Sequence, residues 1–68
     1  MNVVLYTIGC SNCLILEKML KDKDIKFLKV SDMETIKEKL PNVMSMPILE
    51  VDGVIMKFNT AKEWIKNI

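Results

Sequence analysis

Apolar and polar positions along the chain change their period several times, and each change marks an element. Val3-Val4-Leu5-Tyr6 is an unbroken run of β-prone apolar residues, the pattern of a central strand covered on both faces. Gly9 interrupts it. Over residues 11–21 the spacing becomes helical: Cys13, Leu16 and Leu20 share one face with Met19 beside them, which sets Glu17, Lys18 and Lys21 toward solvent. Asp22-Lys23-Asp24 is a polar turn. Residues 25–30, IKFLKV, alternate in part and predict a second strand. Strand, helix and strand in succession predict a parallel pair with a right-handed crossover. Ser31-Asp32-Met33-Glu34 has the form of a capping box with Ser31 at the cap. Met33, Ile36 and Leu40 follow on one helical face, and Pro41 stops that helix. The stretch PILEVDGVIM reads as a hairpin, with Asp52-Gly53 as a type I′ turn signal. Thr60-Ala61-Lys62-Glu63 is a second capping box, opening a last helix whose stripe is Ala61, Trp64, Ile65 and Ile68. The predicted order is β-α-β-α-β-β-α, an α/β chain with no internal repeat or linker.

Size and charge narrow what such a chain does. Its 68 residues make a single domain, residues 1–68, with a core at the small end of what is stable. Ten lysines and arginines face nine acidic residues, a balance that speaks against a nucleic acid as main partner. No run approaches the roughly 20 apolar residues of a membrane span, and the opening residues lack the form of a signal peptide. No membrane partner is therefore expected. Two cysteines do not make a disulfide scaffold of the secreted kind, so the expected setting is the reducing cytoplasm, where close cysteine pairs are catalytic or metal-binding. With no histidine in the chain, any mechanism runs without imidazole.

Both cysteines lie in one uncharged stretch, TIGCSNCLIL. Cys10 falls where the first strand gives way to a helix, and backbone N–H groups at a helix start favour a thiolate. The expectation is a moderately lowered pKa at Cys10. Cys13, one turn on, is placed to donate to that thiolate and to resolve a mixed disulfide. Ser11 and Asn12 between them are small, polar and suited to capping N–H groups at the helix start. Two other readings remain. Both thiols could be core residues, which suits Cys13 and fits Cys10 poorly. A metal site would need ligands from a second copy, or a two-coordinate soft ion such as Cu(I), because zinc in a structural site takes four ligands. No metal site within one chain is expected.

At this point the sequence resembles the glutaredoxin-like small redoxins of the thioredoxin superfamily, over nearly its whole length. The resemblance rests on VVLYTIGCSNC followed by a helix, on Met46-Pro47 opening the third strand, and on the order of elements. It implies a minimal thioredoxin/glutaredoxin-like fold, a four-stranded mixed sheet flanked by three helices. It implies thiol–disulfide exchange on protein or low-molecular-weight disulfides, with Cys10 as nucleophile and Cys13 as resolving thiol. It also implies a cis peptide bond before Pro47, facing the cysteines, with the backbone of Met46 offered to an extended substrate. Met44 and Met46 flank that proline, and flexible thioethers suit a surface that accepts several partners.

The chain departs from that pattern in ways that bear on its reductant. Ser11-Asn12 stands where glutathione-dependent glutaredoxins have Pro-Tyr and thioredoxins Gly-Pro. No basic residue precedes Cys10, and Met56-Lys57-Phe58-Asn59-Thr60 replaces a glycine pair with an acidic residue. Asn59 and Thr60 are candidates for binding a substrate carboxylate at a helix start, with plain N-capping as their alternative. These departures speak against glutathione as dedicated reductant and leave a thioredoxin-reductase-type system. No tightly bound cofactor is expected; the partners implied are a disulfide substrate and a reductase, and the chain is expected to be a monomer. The rival functions are a copper or zinc chaperone using the cysteine pair, and a non-catalytic docking module built around Met44-Ser45-Met46.

Overall fold

The computed structural model describes residues 2–42 and 46–68. Its elements are β1 (Val3–Tyr6), α1 (Ser11–Asp22), β2 (Leu28–Val30), α2 (Met33–Lys39), β3 (Ile48–Val51), β4 (Val54–Met56) and α3 (Phe58–Lys66), in the order read from the sequence. The sheet order is β2-β1-β3-β4. β1 pairs parallel with β2 and antiparallel with β3, and β3 pairs antiparallel with β4, so the sheet is mixed. The pleat sends alternate side chains to opposite faces. Val3, Leu5, Leu49, Val51 and Met56 meet Leu16 and Leu20 of α1 and Ala61 and Ile65 of α3. On the other face Tyr6 and Ile48 pack with Ile36 and Leu40 from α2 and the residue that follows it. β1 is thus covered on both sides, as its unbroken apolar run requires.

The ends of the helices depart from the expected caps. α1 closes in a Schellman turn: Ile25 N–H bonds to Leu20 O and Asp24 N–H to Lys21 O, with Asp24 at φ 56°. That closure takes up Ile25, so the second strand begins at Leu28 and not at residue 25. Ile25 and Phe27 pack against the core from the connection. In α2 the cap is Asp32, one residue after Ser31: its carboxylate accepts from Thr35 N–H at 3.4 Å and from the Thr35 hydroxyl at 2.7 Å. A carboxylate gains more than a hydroxyl from the positive end of the helix, which accounts for the shift. α3 opens at Phe58, two residues before Thr60, with Lys57 at the cap and no side-chain capping bond. Phe58 packs against the same core as Ala61 and Ile65, so the apolar stripe begins before the hydroxyl that the sequence suggests as a cap. Ile68 leaves the stripe and is exposed.

Glu17 also departs from expectation. Its side chain is only 14% exposed and lies between Lys21 of its own helix, at 3.1 Å, and Lys29 of β2, at 3.3 Å. The hairpin turn is as expected: Asp52 and Gly53 both have positive φ, 49° and 88°, as a type I′ turn demands. Asp52 additionally exchanges two hydrogen bonds with the backbone of Asn2, which ties down the start of β1.

Candidate redox site

Three short-range constraints set Cys10 at the end of β1. Thr7 N–H bonds to Val30 O at 3.0 Å and extends the parallel pairing by one residue. The Thr7 hydroxyl then accepts Gly9 N–H at 3.1 Å, closing a two-residue turn. Gly9, at φ 79°, reverses the chain in a conformation that a side chain would strain. Cys10 follows in an extended conformation and is itself the N-cap of α1: its Sγ accepts Cys13 N–H at 3.2 Å, and its carbonyl accepts Leu14 N–H at 3.0 Å. The capping role open to Ser11 or Asn12 therefore belongs to the cysteine sulfur, and both residues lie exposed in the first turn.

The second half of the site comes from the start of β3. The Met46–Pro47 peptide bond is cis. The Cys10 thiol points at the Met46 carbonyl, 4.0 Å away, and Pro47 is fully buried beside it. Cys10, Cys13, Met46 and Pro47 are thus brought together as the resemblance implied. Met44 and Ser45, suggested as a docking loop, lie outside the described residues. Asn59 and Thr60 occupy the first turn of α3, not its cap. Strand directions place that turn at the same end of the sheet as Cys10, because β4 runs back parallel to β1. The bond from Lys23 Nζ to Ile68 O, 3.3 Å, likewise joins the far ends of α1 and α3. Their first-turn N–H groups have no partner within the helix. Lys62 lies over the Phe58 ring at 5.0 Å.

The two thiols differ sharply in access. Cys10 is partly exposed and Cys13 is fully buried. In the reduced pair Cys10 is held above the ordinary thiol range, first by its hydrogen bond with the Cys13 thiol and then by desolvation; N–H groups of Cys13 and Asn12 pull the other way. Desolvation pushes Cys13 up. Hydrogen bonds from the Cys10 and Thr7 side chains and from the Ile8 and Cys10 backbones outweigh it and bring Cys13 below that range. The expected lowering at Cys10 is therefore found at Cys13, because more donors converge on the buried sulfur.

Beside Cys10 lies a groove of about 480 Å³ lined by Ile8, Met33, Ile36, Leu40, Pro41 and Met46, with Lys37 its one charged residue. Ile8 and Met33 are half-exposed there, so the groove is open to an apolar group. Sequence reading missed Thr7 and Ile8. The available signal was the lone hydroxyl between the apolar strand and Gly9, since a polar side chain at a strand end is buried only where it has a partner.

No family model matches the chain. A curated protein from Methanothermobacter thermautotrophicus, named thioredoxin, is 36% identical to it over 76 residues, an alignment covering 100% of this chain and 96% of the relative.

Proposed function

Because the chain belongs to the thioredoxin superfamily as a small redoxin, a group of thiol–disulfide oxidoreductases, we propose that it performs dithiol–disulfide exchange through Cys10 and Cys13. The observation that carries this reading is the position of Cys10: an accessible sulfur at a helix N-terminus, facing the carbonyl of Met46 ahead of cis Pro47. An extended substrate laid along Met46 would set its disulfide against Cys10. The Cys10 thiolate attacks one substrate sulfur, forming a mixed disulfide and releasing the other sulfur as a thiolate, which takes up a proton. Cys13 then attacks Cys10, the Cys10–Cys13 bond forms, and the second substrate sulfur leaves and is protonated in turn. Two electrons and two protons pass from the dithiol to the substrate, and an external reductant restores the pair.

Ser11 and Asn12, exposed beside Cys10, would border the bound substrate, and the free N–H groups at Asn59 and Thr60 would hold a carboxylate of it. The absence of a basic residue ahead of Cys10 supports a protein reductase over glutathione. Among the described residues no helix is long and apolar enough to cross a membrane. A cytoplasmic, monomeric electron carrier acting on protein or small-molecule disulfides completes the proposal.

The test is equilibration of the pair against defined thiol/disulfide buffers under metal-free conditions. A reversible two-electron transition, with a potential between about −270 and −120 mV, is the expected result. No transition, or one seen only after a bound metal is stripped, would reject exchange in favour of metal binding or docking.

A further inference from the structure

We infer that Lys37 and the apolar groove beside Cys10 select the substrate by the residues that flank its cysteine: a bulky apolar side chain enters the groove, and an acidic one meets Lys37. The preferred substrates are then protein segments of that composition, ahead of small disulfides. This inference rests on the exchange proposed above and deepens it. The groove and the sulfur share Met46, whose carbonyl lies 4.0 Å from the Cys10 sulfur and which also lines the groove. Ile8, two residues before Cys10, lines it too. Ile36 and Leu40, 2% and 8% exposed, close the groove at its base, whereas Ile8 and Met33 are left 54% and 48% exposed. Apolar side chains this open lose contact with water when a substrate covers them, which favours an apolar occupant. An extended chain advances roughly 3.3 Å per residue, so a substrate laid along Met46 with its disulfide at Cys10 brings residues within two positions of its cysteine to the groove.

Lys37 decides the sign of the partner, because it is the one charged residue that lines the groove. Among the described residues the ion pairs join Glu17 to Lys21 and Lys29, and Lys37 keeps its ammonium for an incoming carboxylate. The acids nearest to it in the chain are placed elsewhere. Asp32 caps α2 through Thr35. Glu34 and Glu38 are exposed on that helix and do not line the groove. An acidic side chain arriving there meets a positive charge, and a basic one is repelled. The apolar contact supplies the larger share of the affinity, and the exposed ion pair supplies the choice of sign. A small disulfide with no bulky apolar group reaches Cys10 and leaves the groove unused.

The experiment uses peptides of one length, each joined through a single cysteine to 2-thiopyridine. The residues flanking that cysteine are Leu and Glu, Leu and Gln, Leu and Lys, or Ser and Glu. In the reaction with reduced protein the Cys10 thiolate attacks the peptide sulfur, the Cys10–peptide bond forms and the bond to the pyridyl sulfur breaks. 2-Thiopyridone leaves with a proton from solvent, and its absorbance gives the second-order rate constant. At low ionic strength the rate should fall from the Leu/Glu to the Leu/Gln to the Leu/Lys peptide by about threefold at each step. The Ser/Glu peptide should react about fivefold more slowly than Leu/Glu. Lys37→Glu should reverse the order of the Glu and Lys peptides, and molar salt should level them. Met33→Ser should cut the advantage of Leu over Ser. Equal rates for all four peptides, an order that Lys37→Glu leaves in place, or an advantage of Leu that Met33→Ser leaves whole overturns the inference while the exchange reading stands. Release no faster than with the Cys10→Ser protein overturns the exchange reading and the inference with it.

Discussion

Cys10 and Cys13 are three residues apart, yet one is reachable and the other has no exposed surface. That asymmetry assigns the order of attack under the proposed mechanism. Cys13→Ser should trap a mixed disulfide at Cys10, seen by mass as one substrate adduct per chain that reductant removes. Cys10→Ser should give no adduct, because Cys13 is shielded. Adducts on both single variants in equal amount would contradict the assignment. Most of this site was legible before folding: the pair, its helix start and Met46-Pro47 all stand in the sequence as motifs. What was not legible was the direction of the charge. The helix start favours an anion at Cys10, but a linear sequence does not tell that hydrogen bonds lower the buried Cys13 thiol below the ordinary range.

The elements were read well in kind and poorly at their ends, and the reasons are local. Asp32 outcompetes Ser31 because its carboxylate reaches both the N–H and the hydroxyl of Thr35. Its carboxyl is held below the usual carboxylate range by the Thr35 hydroxyl first, with help from the N–H groups of Thr35 and Glu34. A carboxyl with a lowered folded-state pKa stabilises the fold above its unfolded pKa, and that contribution disappears as the pH falls through the folded value. Asp32→Asn should therefore flatten the acid limb of a stability-against-pH curve below the ordinary carboxylate range, measured by denaturant unfolding. An unchanged acid limb would count against the capping bond. Asp24 sits at φ 56°, where a glycine has no Cβ to strain, so Asp24→Gly should stabilise the fold by about 0.5–1 kcal/mol. Lys57 caps α3 without a side-chain bond, so Lys57→Ser should add about 0.5–1 kcal/mol. Either variant melting lower than the parent would contradict the end assigned to its helix.

At the scale of the whole molecule, two thin cores share one four-stranded sheet, and β1 contributes to both. A domain of this length has a total stability of about 3–10 kcal/mol. Leu5 is fully buried in the middle of β1, and Leu5→Ala should cost about 2–5 kcal/mol, leaving a large unfolded fraction at room temperature by circular dichroism. A loss under about 1 kcal/mol would mean that the sheet closes over the gap. Against so small a total, the position of Cys10 has a consequence for the molecule as a whole. The sulfur proposed to exchange electrons is also the atom that fastens the first turn of α1. Its affinity for electrons and the hold of that turn are two legs of one thermodynamic cycle. Whatever free energy separates the melting of the dithiol from that of the disulfide form must reappear as a displacement of the couple from that of the same two cysteines in an unfolded chain. The exchange rate between the two scales is about 30 mV for each 1.4 kcal/mol. Denaturation of the two redox forms and electrochemistry of the pair would therefore have to agree, and a helix that loosens on oxidation would make this chain a better oxidant.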